Sequence, residues 1–265
     1  MSASTPPSTP HTLTTNPSLH RIRLHLTTPY PPVHDLGTLS QLPNEIITQI
    51  ILHTDLLTIS RLRRTNRHLL DLVNTTPPFT FLLTTHPTIL RALYATRSAQ
   101  HHTLASLASA LFHPHQCRHP LPDPASSPPS ASDDPSSPCP NPPSYLYLPL
   151  LLPLCPTCLQ SPSYLPIGPI TAARNFGLPA RIVDTLPHLF TVPGTYGPQG
   201  TFEAKVRRLV DVGPARDAAV QYHGSLARMQ RFVNHDRDLR WGFEVGQGGE
   251  EEGRRWVGVC ELREG

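Results

Sequence analysis

The stretch at residues 39–73, LSQLPNEIITQIILHTDLLTISRLRRTNRHLLDLV, constrains the fold more than any other part of the chain. Leucine and isoleucine recur in it at helical spacing: Leu42, Ile46 and Ile50, then Leu56, Ile59 and Leu62, then Leu69 and Leu72. A period near 3.6 gathers such residues on one face of a helix. Local signals cut the run into three. Pro43 suits the first turn of a helix, where its missing N–H would be unpaired in any case. Glu45 follows in that turn, where the helix dipole favours an acid. Asp55 predicts the N-cap of a second helix, and Thr65 or Asn66 the start of a third. Arg61, Arg63 and Arg64 fall near the end of the second helix, where the dipole favours positive charge. Three helices this short cannot bury all that apolar surface among themselves, so the excess predicts a docking surface.

Elsewhere the chain is crowded with proline, 33 of 265 residues, and this lowers its globular content. Residues 1–37 are rich in Ser, Thr, Pro and His. They offer too little apolar area to offset chain entropy, so disorder is expected, with a short strand at Ile22, Leu24 and Leu26. Residues 118–143 contain PLPDPASSPPSASDDPSSPCPNPP, a low-complexity linker. The expected fold is mainly α. It consists of a three-helix module at 38–76, a helical extension at 77–117, a mostly helical C-terminal domain at 144–235 with few short strands, and a tail at 236–265.

Within the extension, Leu90, Leu93 and Tyr94 predict a helix over 87–99, and Leu104, Leu107 and Leu111 another over 102–112. Further on, helices are expected at 170–176, 179–186, 202–210 and 214–233, the last carrying Ala218, Tyr222, Leu226, Met229 and Phe232. In the tail, Trp241, Phe243, Trp256 and Val259 flank GQGGEEEG and predict a hairpin.

Several function classes find no support. A formal charge of +3 is too mild for a nucleic-acid partner, and the arginines at 61–64 lack interleaved aromatics. The most apolar stretch, 146–154, is short and broken by Pro149 and Pro153, so no membrane span is expected. His223-Gly224-Ser225, with Asp217 or Asp236 as orienter, lacks a nucleophile elbow, and Ser225 reads as a helix cap. Gly246-Gln247-Gly248-Gly249 lacks the lysine of a phosphate cradle. No enzyme is expected.

Five cysteines, no apolar signal core and a Ser/Thr/Pro-rich start predict an intracellular, reducing setting, cytoplasm or nucleus. Cys155-Pro156-Thr157-Cys158 has metal-ligand spacing, because the intervening turn brings both sulfurs to one side. Cys139 lies at a reasonable distance upstream for a structural zinc site. A fourth ligand is missing: position 142, where one is expected, holds Pro142. Cys117, His113, His115 and His119 reach the site only if the linker folds back. The alternative is a set of buried or idle thiols. Cys260 reads as a core residue.

The order LPNEII, Ile50-Ile51, DLLTISRLRRTNR and HLLDLV resembles the F-box, a three-helix motif of ubiquitin ligases. The resemblance covers 39–73. It implies a Skp-type adaptor as partner, linking to a cullin scaffold and a ubiquitin-charged enzyme, with Leu42, Pro43, Ile46, Ile50, Leu56, Ile59 and Leu62 as anchors. It also implies a non-catalytic subunit whose later residues recruit a protein substrate. A wider likeness to filamentous-fungal F-box proteins rests on RHPLPDP, YLYLP, the Cys155/Cys158 pair, Phe176-Gly177-Leu178, Leu186-Pro187, Pro193-Gly194-Thr195-Tyr196 and His223-Gly224-Ser225, in that order. The chain departs from that pattern where a first cysteine pair is reduced to Cys139, and where Leu151 and Pro153 replace the cysteine-rich run. The rival reading is a zinc-stabilised binding module with no ligase role.

Overall fold

The computed structural model describes residues 10–21, 37–112, 116–118, 139–161, 163–239 and 255–262. Helix α1 (Asn44–His53) starts immediately after Pro43, which takes the N-cap position with extended ψ rather than the first helical position. Helix α2 (Leu56–Thr65) is capped by Asp55, whose Oδ1 accepts the Thr58 N–H at 2.8 Å. Helix α3 (Arg67–Thr75) is capped by Asn66, whose Oδ1 accepts the His68 N–H at 2.7 Å. Each cap satisfies a backbone donor that the helix itself cannot.

Helix α4 (Pro77–Thr85) follows directly, inside the expected helical extension at 77–117 but ahead of the first helix named within it. Its PPFTFLLTT sequence is rich in threonine and phenylalanine, weak helix formers. Two prolines at the start preset the backbone, and burial of Phe79, Leu82 and Leu83 overrides propensity. Helix α5 (Pro87–Ala95) is shorter than the expected 87–99. Arg97 adopts a left-handed conformation, φ 57°, and a 3-10 turn, Ser98–His101, leads towards α6 (Leu104–Phe112). Helix α6 packs on both α1 and α4.

The expectation of disorder fails for residues 10–21. Two 3-10 turns, Leu13–Thr15 and Pro17–Arg21, put Leu13 and Leu19 fully into the core. The Asn16 amide donates to the Tyr196 hydroxyl at 2.9 Å and to the Pro193 carbonyl at 3.1 Å. Two leucines suffice because their turns pack on α5 and they join the larger core rather than build one of their own. The strand expected at Ile22, Leu24 and Leu26 lies outside the described residues.

Strands β1 (Tyr145–Tyr147) and β2 (Leu152–Leu154) form an antiparallel hairpin. After the hairpin come α7 (Pro156–Leu159), β3 (Pro166–Ile167), α8 (Pro169–Phe176) and α9 (Ala180–Val183). The expected 179–186 helix is thus a single turn. Then follow β4 (His188–Phe190), β5 (Gly194–Tyr196), β6 (Thr201–Glu203) and β7 (Arg208–Asp211). Sheet order is β3-β7-β4, and β5 pairs with β6. The helix expected over 202–210 is therefore replaced by β6 and β7. Buried Thr191 explains this: its hydroxyl donates to the Lys205 carbonyl at 2.6 Å and accepts the Arg207 N–H at 2.7 Å, holding the segment extended.

Helices α10 (Val212–His223) and α11 (Leu226–Leu239) replace the single helix expected over 214–233. Gly224, at φ 80°, is the break, a conformation that glycine adopts without penalty. Strand β8 (Val259–Glu261) pairs with β1, completing a sheet of order β2-β1-β8. Of the expected C-terminal hairpin, the described arm is a strand, with Val259 and Cys260 fully buried against β1, and the other arm lies outside the described residues.

The larger core joins the helical module to β1, β2 and β8. A smaller one lies among α8, α10 and α11, with Ile167, Ala172, Val210, Ala219 and Met229. The Tyr147 hydroxyl donates to Asp211 Oδ1 at 2.6 Å, linking the two sheets.

Candidate functional site

Helix α1 carries two isoleucine stripes, each at i, i+4 spacing. Ile47 and Ile51 are 3% and 1% exposed and face the core. Ile46 and Ile50, one residue earlier in each case, are 48% and 47% exposed. The helical period turns adjacent positions by about 100°, so one stripe is satisfied internally and the other is not. Leu39, Leu42 and Pro43 are also exposed just before the helix. The Thr54 hydroxyl donates to the Ile50 carbonyl at 2.6 Å and ends the last turn.

Two of the expected anchors require correction. Leu56 and Ile59 are fully buried in the chain's own core and present no surface to a partner. They share the helical spacing of the exposed residues, but α2 turns that stripe inward against α3 and the 3-10 turn after α5. Leu62 is half-buried.

The second constellation is built from thiols. Cys155 caps α7, and the Cys158 N–H donates to its sulfur at 3.4 Å. The Cys155 N–H donates to Cys117 Sγ at 3.3 Å. Cys139 Sγ lies 3.8 Å from Cys155 Sγ and 3.6 Å from Cys158 Sγ. All four sulfurs fall within 4.8 Å of one another, and all are free thiols. A tetrahedron with metal–sulfur bonds of about 2.3 Å has edges of about 3.8 Å, so the spacing suits one four-coordinate ion of the zinc type.

Burial alone would raise the Cys155 thiol. The Cys158 N–H and the surrounding thiols outweigh it and bring the pKa to about 7. Burial pushes Cys158 and Cys117 upward, and for Cys158 the neighbouring thiols add to the rise.

The structure therefore brings Cys139, Cys155 and Cys158 together and places a fourth thiol, Cys117, beside them. It comes in because the chain returns: Cys117 and Cys139 form an antiparallel bridge. No local pattern near Cys117 signals this pairing, because it depends on contacts between residues more than twenty positions apart. His113, His115 and His119 lie outside the described residues. Elsewhere, the Ser225 hydroxyl accepts the Arg228 N–H at 3.2 Å, acting as the expected cap. His223 Nε2 lies 3.2 Å from the Phe176 carbonyl, and its ring sits 4.9 Å from that of Phe232.

Comparison with known families gives one match: the F-box domain, at residues 39–81. That span holds α1, α2, α3 and the first turns of α4. It ends before the cysteine cluster, so the wider likeness to filamentous-fungal proteins rests on the sequence motifs alone. No curated protein and no solved structure matches the chain. F-box domains in general belong to non-catalytic adaptors of SCF-type ubiquitin ligases. No helix among the described residues is long and apolar enough to cross a membrane.

Proposed function

We propose that this chain, with its F-box domain at 39–81, is the substrate-recognition subunit of a cullin-based ubiquitin ligase. The outer face of α1 docks a Skp-type adaptor. One observation carries the reading: Ile46 and Ile50 stand half-exposed beside Ile47 and Ile51, which the core covers. A short helix with apolar residues on both faces needs a partner for the outer one, and helices from a second chain fit such a face. Leu39, Leu42 and Pro43 extend the patch, and Leu62 stays in the anchor set. Leu56 and Ile59 act only as core.

The subunit needs no reacting group. It works by proximity, holding a protein target near the charged enzyme and raising its effective concentration to the millimolar range or so. The residues after 77 carry the recruiting surface. The setting is intracellular, cytoplasm or nucleus, where thiols stay reduced.

The thiol cluster holds a structural zinc through Cys139, Cys155 and Cys158, supported by sulfur separations of 3.6 and 3.8 Å. A zinc module without a ligase role would leave the exposed stripe of α1 unexplained, so zinc joins the docking reading rather than replacing it.

The test is co-purification of the full chain with a Skp-type adaptor, repeated with Leu42→Ala plus Pro43→Ala. Retention of the wild type and loss of the double variant are expected. A folded wild type that fails to retain the adaptor would overturn the docking role.

A further inference from the structure

The cysteine cluster lies where three stretches of chain meet. Cys117 ends the run leaving α6, the helix packed on α1 and α4. Cys139 stands on the far side of residues 119–138, the main part of the Pro/Ser-rich insertion. Cys155 and Cys158 belong to the corner between β2 and α7. We infer that one zinc ion held by all four sulfurs clasps both roots of the insertion, Cys117 and Cys139, to that corner. The inference rests on the zinc reading above and adds Cys117 as the closing ligand together with its mechanical consequence.

The roots are already side by side. Cys117 and Cys139 bridge through their backbones, and the Arg118 N–H donates to the Pro153 carbonyl at 2.9 Å, on the outer edge of the sheet. The Cys155 N–H points at the Cys117 sulfur, the orientation that favours a thiolate there. The corner is itself anchored: the Leu159 and Ser161 carbonyls each accept from Arg255 Nη1 at 2.6 Å, just before β8. The metal therefore joins the insertion to a fixed body. Cys117 is the one ligand that precedes the insertion, so only its bond closes the chain across it. No ligand lies on α1, and the docking face is independent of the clasp.

The test uses the purified full chain. Metal analysis is expected to give one zinc per chain. Cobalt-substituted wild type is expected to show a four-thiolate spectrum. Cys117→Ser should show a three-thiolate spectrum and bind zinc at least about tenfold more weakly against a chelating dye. Trypsin cleavage after Arg118 supplies a second readout, which needs no variant. Stripping the wild type with a chelator should speed that cut several-fold, while adaptor capture stays unchanged. Cys260→Ala should behave as wild type in both assays.

Unaltered zinc affinity and cobalt spectrum in Cys117→Ser would overturn the clasp and leave the zinc reading standing. So would a cut after Arg118 that ignores the chelator while zinc is present. A wild type without zinc would overturn both, and adaptor capture by that same sample would leave the docking role intact.

Discussion

Replacing Ile50 and Ile51 by alanine, one at a time, should separate the two faces of α1. The residues are adjacent and identical, and only their direction differs. Ile51 is 1% exposed. Removing three buried carbons costs about 2.4 kcal/mol in transfer, and the cavity raises the total to about 2–5 kcal/mol. At about 2–4 °C per kcal/mol for a chain of this size, Ile51→Ala should melt roughly 4–20 °C lower. Ile50 is 47% exposed. Its loss should change stability by about 0.5 kcal/mol or less, helped by the better helix propensity of alanine. In the complex the exposed half is covered, so about half the transfer term, roughly 1.2 kcal/mol, is forfeited. That weakens adaptor binding by roughly eightfold. Thermal melts followed by circular dichroism and calorimetric titration with a Skp-type adaptor measure the two effects. Equal losses of Tm in both variants would refute the two-faced helix. An Ile50→Ala protein that binds like the wild type would refute the docking assignment.

Other predictions address single groups. Asp55→Ala and Asn66→Ala each remove an N-cap and should each cost about 0.5–2 kcal/mol in urea melts. Burial, with His101 nearby, lowers the His102 pKa to about 4 against a partial rise from the Leu148 backbone. The folded state then binds fewer protons than the unfolded chain between pH 6.5 and 4, so this residue makes stability fall as pH drops through that window. An NMR titration that found His102 charging near its ordinary value would contradict this. Burial raises Asp211 to about 7 despite the Tyr147 hydroxyl and the N–H groups of Val212 and Gly213. Here the folded state keeps a proton that the unfolded chain loses near pH 4, so stability falls as pH rises from 4 to 7. Asp211→Asn should therefore gain on the wild type more at pH 8 than at pH 5, by at most about 2.7 kcal/mol, two pH units at about 1.36 kcal/mol each. Equal differences at the two pH values would count against it.

What the sequence made legible was local. Asp55 and Asn66 cap their helices because the donors they satisfy lie two or three residues away, and Glu45 sits in the first turn as the dipole argument requires. Non-local effects were hidden. Ile46 with Ile50 and Ile47 with Ile51 are both apolar stripes at the same period, and only packing by α3 and α6 decides which is covered. The same applies to Leu56 and Ile59. The extended path of 202–210 depends on Thr191, more than ten residues earlier. Leu13 and Leu19 look too sparse to fold, yet they complete a core formed by residues far along the chain. Of the thiol cluster, the close-spaced pair was readable, whereas Cys117 depended on how the chain returns after the insertion.

Amide hydrogen exchange on the full chain, with and without a saturating Skp-type adaptor, tests the central claim most directly. The account predicts new protection concentrated in residues 39–53, with β1 and β8 exchanging as before. Unchanged exchange over 39–53 in a complex that demonstrably forms would contradict it.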